Sequence, residues 1–410
     1  MTEQTNTPEL RFPEFKKEWE FQELGNLAQF SKGKLLSKKD LNISGIPCIL
    51  YGELYTKYGA ILNKVYSKTS TQNDSLVFSK RNQILIPSSG ETDIDIATAT
   101  AIDTDVKIAV GGDLNIITPI NSDGRFISLY INGKGKYNLA KYAQGKSVVH
   151  LYNSDIKKLN FYLPTNMAEQ KKIGDFFSKL DRQIELEEEK FELLEQQKKG
   201  YMQKIFTQKL RFKDKTGNIY PNWKTTELKD ILEKIIDNRG KTPDNAPSEK
   251  YPLLEVNALG YYHPSYKKVS KFVSEDTYNN WFREHLKEND ILFSTVGNTG
   301  IVSLMDNYKA VIAQNIVGLR VNNNNIPSFV YYMLSYWENQ KKIKRIQMGA
   351  VQPSVKVSQF KFIKYLIPIK DEQEKIANLL SEIDKVINKQ LIKIEVLKQR
   401  KQGLLQKMFV

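Results

Sequence analysis

The chain has 410 residues, 40% of them hydrophobic, which is enough apolar material for two or three domains with real cores. Its formal charge of +14 at pH 7 points to a polyanionic partner, most often nucleic acid, with plain solubility charge as the alternative. One cysteine, Cys48, excludes an internal disulfide and fits a reducing cytoplasm. No apolar run approaches the roughly 18 residues that a membrane span needs, and the opening MTEQTNTPEL lacks the basic and apolar regions of a signal peptide.

In chain order, residues 1–166 read as a first globular segment with 20 basic and 17 acidic residues, a net +3. It opens on Leu10-Arg11-Phe12 and Trp19. Its short Ile- and Val-rich runs, bounded by Gly, Pro, Asn or Asp, predict strands at Ile46–Leu50, Gln83–Ile86, Ile108–Val110 and Asn115–Thr118. Pro164 closes the last strand, because proline disfavours helix in the residue before it.

Residues 167–206 follow with 8 basic and 9 acidic residues and predict a coiled-coil helix. Ile173, Leu180, Leu194 and Tyr201 share one heptad position; Phe177, Ile184, Phe191 and Ile205 share the position four residues later. Glu187 and Lys198 break the stripe. The second globular segment, 207–369, has 24 basic and 15 acidic residues, so most of the excess charge sits there. Strands are predicted at Pro252–Val256, Asp290–Thr295, Ile301–Leu304 and Ile316–Val321, and a helix at Ser328–Asn339. The last segment, 370–410, repeats the heptads with Ile376, Leu380, Ile383, Ile387, Ile394, Leu397, Leu404 and Met408. The breaks recur 203 residues on, as Gln390 and Lys401.

The chain is therefore an internal duplication. Leu210-Arg211-Phe212 and Trp223 answer Leu10-Arg11-Phe12 and Trp19, and a run from Gly349 to Pro368 answers one from Gly145 to Pro164. The fold class expected is α+β: two pseudo-symmetric mixed α/β domains separated by a pair of long antiparallel coiled-coil helices. A narrow apolar stripe must be buried, and matched polar breaks favour a shared seam. The alternative, each helix packing on its own globular neighbour, stays open.

Catalytic patterns fail. Gly145-Lys146-Ser147 and Gly240-Lys241-Thr242 end like phosphate loops, but Ala140 and Ile235 stand where the first glycine belongs. His150, His263 and His285 have no metal-ligand spacing with each other or with Cys48. There is no Gly-x-Ser-x-Gly elbow and no Asn/Asp-Pro-Pro-aromatic run, and Glu227-Leu228-Lys229 is only half of a nuclease pattern. The chain is expected to catalyse nothing by itself and to need no metal or cofactor of its own.

Binding candidates are clusters of cations with polar or aromatic neighbours, since Lys and Arg suit phosphates and Arg, Asn and Gln suit base edges. In the first half these are Lys32 and Lys34 in the loop Ser31–Lys39, Lys80 and Arg81, and Lys134 and Lys136 in a Gly/Lys turn. In the second half they are Arg239 and Lys241, then Tyr261, Tyr262 and His263 with Lys267 and Lys268, then Lys344, Arg345 and Gln347. For any one of these residues a solvated surface charge is the competing reading.

The ordered, duplicated motifs resemble those of the specificity subunit of a type I restriction–modification system over the whole length. The resemblance rests on Arg11-Phe12-Pro13 with Trp19, Arg211-Phe212 with Pro221 and Trp223, and the helix openings Pro164, Glu169-Gln170, Ile173 and Pro368, Glu372-Gln373, Ile376. GAVQPSV at Gly349–Val355 is similar to the family; GKSVVHL in the first copy departs from it by lacking Gln-Pro. The resemblance implies target-recognition domains at 1–166 and 207–369, each reading half of a bipartite site in double-stranded DNA. It implies helices at 167–206 and 370–410 as the spacer. It also implies two modification subunits using S-adenosylmethionine, and restriction subunits using ATP and Mg²⁺, with none of that chemistry in this chain. Glu169, Gln170, Glu372 and Gln373 are the candidates for partner docking; for the two acids, capping the positive end of the helix dipole is the equal alternative. Two other readings remain: a coiled-coil adaptor that does not read DNA, and a stand-alone DNA-modifying enzyme.

Overall fold

The computed structural model describes residues 6–72, 74–238, 240–247 and 249–410. The chain divides into two compact units, the first Met1–Glu189 with Ile392–Val410, the second Lys190–Leu391. The long helices are continuous, Met167–Phe206 and Lys370–Lys407, and each gives one stretch to each unit.

The first unit is built on a five-stranded sheet in the order Ala28–Lys32, Leu114–Pro119, Ile84–Pro87, Thr100–Ile102, Ile61–Leu62. Side chains alternate across a strand, so one apolar run serves two cores. Ile84 and Ile86 join Trp19 and Phe126 on one face, while Leu85 joins Ile49 and Val110 on the other. The second unit repeats this on a sheet ordered Leu232–Ile236, Ile316–Val321, Ile291–Ser294, Val302–Leu304. There Ile291 and Phe293 face Trp223 and Phe329, and Leu292 faces Leu254 and Ile312.

The structure adds elements to the sequence reading and divides one. The strands Ala28–Lys32 and Leu232–Ile236 and the helix Gly124–Asn132 were not expected. The single helix expected at Ser328–Asn339 is two, Pro327–Ser335 and Trp337–Arg345, with Tyr336 extended between them (φ −66°, ψ 125°). The break buries the Tyr336 ring against Phe206 at 5.0 Å. Asn339 and Gln340 then donate to the freed carbonyls of Met333 and Leu334, at 2.9 and 2.6 Å.

Inside the first unit the two helices run antiparallel: Asp181 pairs with Lys401 and Glu187 with Lys393, one number rising as the other falls. In the second unit Lys198 pairs with Asp384. The breaks Glu187, Lys198 and Lys401 thus carry cross-helix ion pairs. Asp181 and Asp384, like Lys198 and Lys401, stand 203 residues apart, so the pairs Lys198–Asp384 and Asp181–Lys401 are mates. Burial raises the Asp181 pKa, against the pull of Lys401. Asp384 has a further donor, the Tyr332 hydroxyl at 2.7 Å.

The apolar seam does two jobs. Ile173, Phe177, Leu180 and Ile184 enter the first unit's core together with Leu397, Leu405, Met408 and Phe409. Met202, Ile205, Ile376 and Leu380 enter the second unit's core beside Trp223. Ile394 is buried, while Phe191, Leu194, Ile383 and Ile387 are half-buried. Both packings expected as alternatives therefore occur, each full burial contributing about 1.5–3 kcal/mol. Among the described residues no helix is long and apolar enough to cross a membrane.

Candidate nucleic-acid interface

In the first unit, the strand Ala28–Lys32 delivers the lysine loop. A Cβ on Gly33 would lie 2.0 Å from the Gly111 carbonyl oxygen, so only glycine fits. Gly33 N–H donates to Leu114 O at 2.9 Å, Lys34 N–H to Val110 O at 3.2 Å, and Gly112 N–H to Leu35 O at 2.7 Å. This clamp holds Leu35 and Leu36 at φ +53° and +50°, a left-handed conformation that costs about 1–3 kcal/mol per non-glycine residue. Lys32, Lys34, Lys38 and Lys39 emerge exposed. The Lys32 ammonium lies 5.7 Å from the centre of the Tyr152 ring, which stacks on His150 at 6.1 Å. Asn153 Nδ2 donates to Ser31 O at 3.0 Å. The fold thus joins the lysine loop to His150 and Tyr152, which lie more than 110 residues away in sequence. Cations beside an aromatic face suit phosphates and bases. Sequence reading considered His150 only as a metal ligand and missed Tyr152.

The other first-half candidates lie elsewhere. Lys80 and Lys134 are exposed. Arg81 is paired within the protein: Nε and Nη2 each donate to Asp105 at 3.0 Å, and Nη1 donates to Asp103 at 2.9 Å. The Arg81 side chain is still about half exposed, so these are surface ion pairs. Lys136 is half-buried at the start of the helix Lys136–Ala140, where burial lowers its pKa.

In the second unit, Arg239 lies outside the described residues. Asn238 is buried, accepts from Gly240 N–H at 3.1 Å and donates to Lys241 O at 2.8 Å, leaving Lys241 exposed. Tyr261 is exposed, and Lys268 Nζ donates to its hydroxyl at 2.6 Å from over the ring. Lys267 and His263 are exposed, although His263 Nδ1–H donates to Leu304 O at 2.8 Å. Tyr262 points inward onto Tyr331 and Tyr332, with ring centres at 5.2 and 5.9 Å, and is core, not a base platform. Lys344 and Arg345 are exposed at the end of the helix Trp337–Arg345. Gln347 does not reach outward, because its amide donates to Thr299 Oγ1. Lys344 borders a groove of about 1140 Å³ together with Lys199, Trp337 and Lys341.

The four docking candidates are also corrected. Glu169, Gln170, Glu372 and Gln373 are each at most 2% exposed, too deep for a partner to touch. Arg11 donates to both Glu169 oxygens, at 2.7 and 2.8 Å, and Trp19 Nε1–H donates to Oε1 at 3.1 Å. Arg211 and Trp223 hold Glu372 in the same way, at 2.8, 3.0 and 3.1 Å. Gln170 and Gln373 accept from the backbones of Asp123 and Ile326, each at 2.9 Å. The duplicated Arg-Phe…Trp and Glu-Gln motifs are thus two halves of one lock, which ties each globular part to the start of its long helix. At the other ends of the helices, Leu10 N–H donates to Lys407 O and Leu210 N–H to Lys204 O, each at 2.9 Å.

These locked, duplicated units have counterparts in known proteins. Residues 16–196 and 220–397 match the family described as the type I restriction modification DNA specificity domain. The chain is 24% identical over 423 residues to the type I restriction enzyme MjaVIII specificity subunit of Methanocaldococcus jannaschii, covering 97% of this chain and 93% of that one. It is 29% identical over 204 residues to the putative type I restriction enzyme MjaX specificity subunit of the same organism, and spans about half that relative's length (48%). Its fold is similar to the crystal structure of a type I restriction–modification S subunit from M. genitalium, with a TM-score of 0.63, 17% identity and coverage of 98% and 99% of the two chains. A chain from a study of complex assembly and conformational transition of the type I R-M system gives a TM-score of 0.56 at 14% identity, covering 94% and 96%. Two family matches that together span most of the sequence, each containing one globular segment and much of the helix after it, show that the chain belongs to the type I restriction–modification DNA specificity family.

Proposed function

We propose that the chain is the non-catalytic, sequence-reading subunit of a type I restriction–modification complex. The observation that carries this reading is the duplicated unit: two globular parts, each fixed by an Arg–Glu–Trp lock to a long continuous helix. Each globular part reads one part of a split, asymmetric site in double-stranded DNA, and the helix pair sets the gap between the parts. Two modification subunits, which use S-adenosylmethionine to methylate adenine, dock on the chain, and restriction subunits bring ATP-driven translocation and Mg²⁺-dependent cleavage. Exposed apolar residues outside the seam, Leu186, Leu193, Val386, Ile392 and Val396, support docking by partner helices. The assembly works in the cytoplasm, where the DNA is.

Insertion of four residues between Glu189 and Lys190 tests the spacer. The insert adds about 6 Å and just over one helical turn, and the heptad phase is nearly kept. The expected result, read from modified bases, is two unchanged half-sites with a longer gap. An unchanged gap would mean that the helices are not the ruler.

A further inference from the structure

Each unit holds a short hairpin with a fixed base and a bare tip. In the second unit, strands Gln347–Met348 and Ser354–Val355 pair antiparallel and leave Gly349–Pro353 as a five-residue tip. Gly349 has φ +87°, a conformation that a side chain would strain. Gly297 N–H donates to Pro353 O and Val355 N–H to Thr295 O, both at 2.8 Å, which ties the base to the chain at 295–297. Beyond it, Val351 is 100% exposed. The first unit repeats the device. Gln144 and His150 exchange two backbone hydrogen bonds, at 2.9 and 2.7 Å, behind the tip Gly145–Val148. Gly145 has φ +125°, and strand Val149–His150 is pinned on Ser89–Gly90. Val148 is 51% exposed.

A single exposed valine needs no explanation, but its surroundings here are unusual. From Asn339 to Lys370 there is no Asp or Glu, and there are eight Lys or Arg residues. From Gly124 to Ser154 there is again no acid, and there are five Lys or Arg residues. Along the chain each tip sits inside one of these acid-free stretches; the nearest acid brought in by pairing is the exposed Glu91, which follows Gly90 on the strand that pins the first hairpin. Arg345 and Lys356, both exposed, flank the second hairpin, and Lys146 stands on the first tip. The charge fits a polyanion, and a two-stranded ribbon fits a DNA major groove about 12 Å wide. In that groove the apolar group available to a valine is the C5-methyl of thymine.

We propose that the two hairpin tips enter the major groove, one in each half-site, with Val148 and Val351 reading a thymine methyl and the flanking cations resting on phosphates. The proposal deepens the DNA-reading function and depends on it. It assigns one base to each tip.

The test uses the full chain assembled with its modification subunits. Modified bases are mapped for the wild type and for Val351→Ser, and binding is measured on cognate DNA in which thymines of the corresponding half-site are replaced one at a time by deoxyuridine, which lacks the methyl. The expected outcome is a thymine preference relaxed by about 5- to 10-fold at one position of one half-site, the low end of a single mismatch, with the other half-site unchanged. The matching deoxyuridine should weaken the wild type by a similar factor and leave Val351→Ser unaffected. If the wild type modifies a split motif and neither the substitution nor any deoxyuridine changes recognition, or if that half-site contains no thymine, the hairpin proposal is overturned while the DNA-reading function stands. If the wild type modifies no defined motif, both fall. The deoxyuridine arm uses the unaltered protein, so a folding defect in the variant does not obscure the result.

Discussion

Glu372→Ala is expected to destabilise the second unit by about 3–5 kcal/mol, the usual cost of removing one partner from a buried ion pair. The Glu372 side chain is fully buried and the Arg211 side chain only 13% exposed. Without the carboxylate, the Arg211 guanidinium keeps its contacts to the Tyr220 and Pro221 carbonyls but loses its counter-charge, and Trp223 Nε1–H loses its acceptor. Urea denaturation followed by tryptophan fluorescence reads the loss. Glu169→Ala should act alike in the first unit, where Arg11 and Trp19 occupy the same places. Glu382→Ala, which breaks an exposed helix pair with Lys385, should leave the midpoint unchanged, because such pairs are screened by water. Equal effects at Glu372 and Glu382 would refute the lock.

Leu380→Asp should cost still more, roughly 4 kcal/mol or above, since it removes a buried side chain and places a carboxylate in its site without a partner. Leu380 is 0% exposed and packs in the second core with Ile376, Ile205 and Trp223. Unfolding of the isolated chain measures the loss, and light scattering of the mixture with modification subunits should show that assembly is abolished. Val386→Asp, at a helix position 50% exposed, should be tolerated in the fold. If Leu380→Asp assembled and unfolded like the wild type, the helix would not be packed at that position.

How far the sequence carried the reading depended on the range of each interaction. Heptads are local, and the helices expected at 167–206 and 370–410 are Met167–Phe206 and Lys370–Lys407. The breaks at Lys198 and Lys401 were visible as repeats, but their partners were not. Asp384 and Asp181 are a helix away, and only their own spacing of 203 residues could have marked them. Glu169 looks like a helix-dipole residue or a docking residue because its arginine stands 158 positions earlier. Arg81 looks like a nucleic-acid contact because its neutralising acids, Asp103 and Asp105, come more than 20 residues later. Tyr261 and Tyr262 are adjacent and chemically identical; a bend in the chain sends one to water and the other onto Tyr331. Clusters of cations were legible, whereas the division between free and spent members needed the tertiary fold.

Sequencing of modified bases in DNA from cells that carry the complete system tests the central claim most directly. The expected result is one asymmetric motif with methylated adenine, made of two short specified blocks separated by an unspecified gap of fixed length. Exchange of residues 207–369 for the same segment of a relative should change one block and leave the other. A contiguous motif, or a change in both blocks after the exchange, would contradict independent reading by two units.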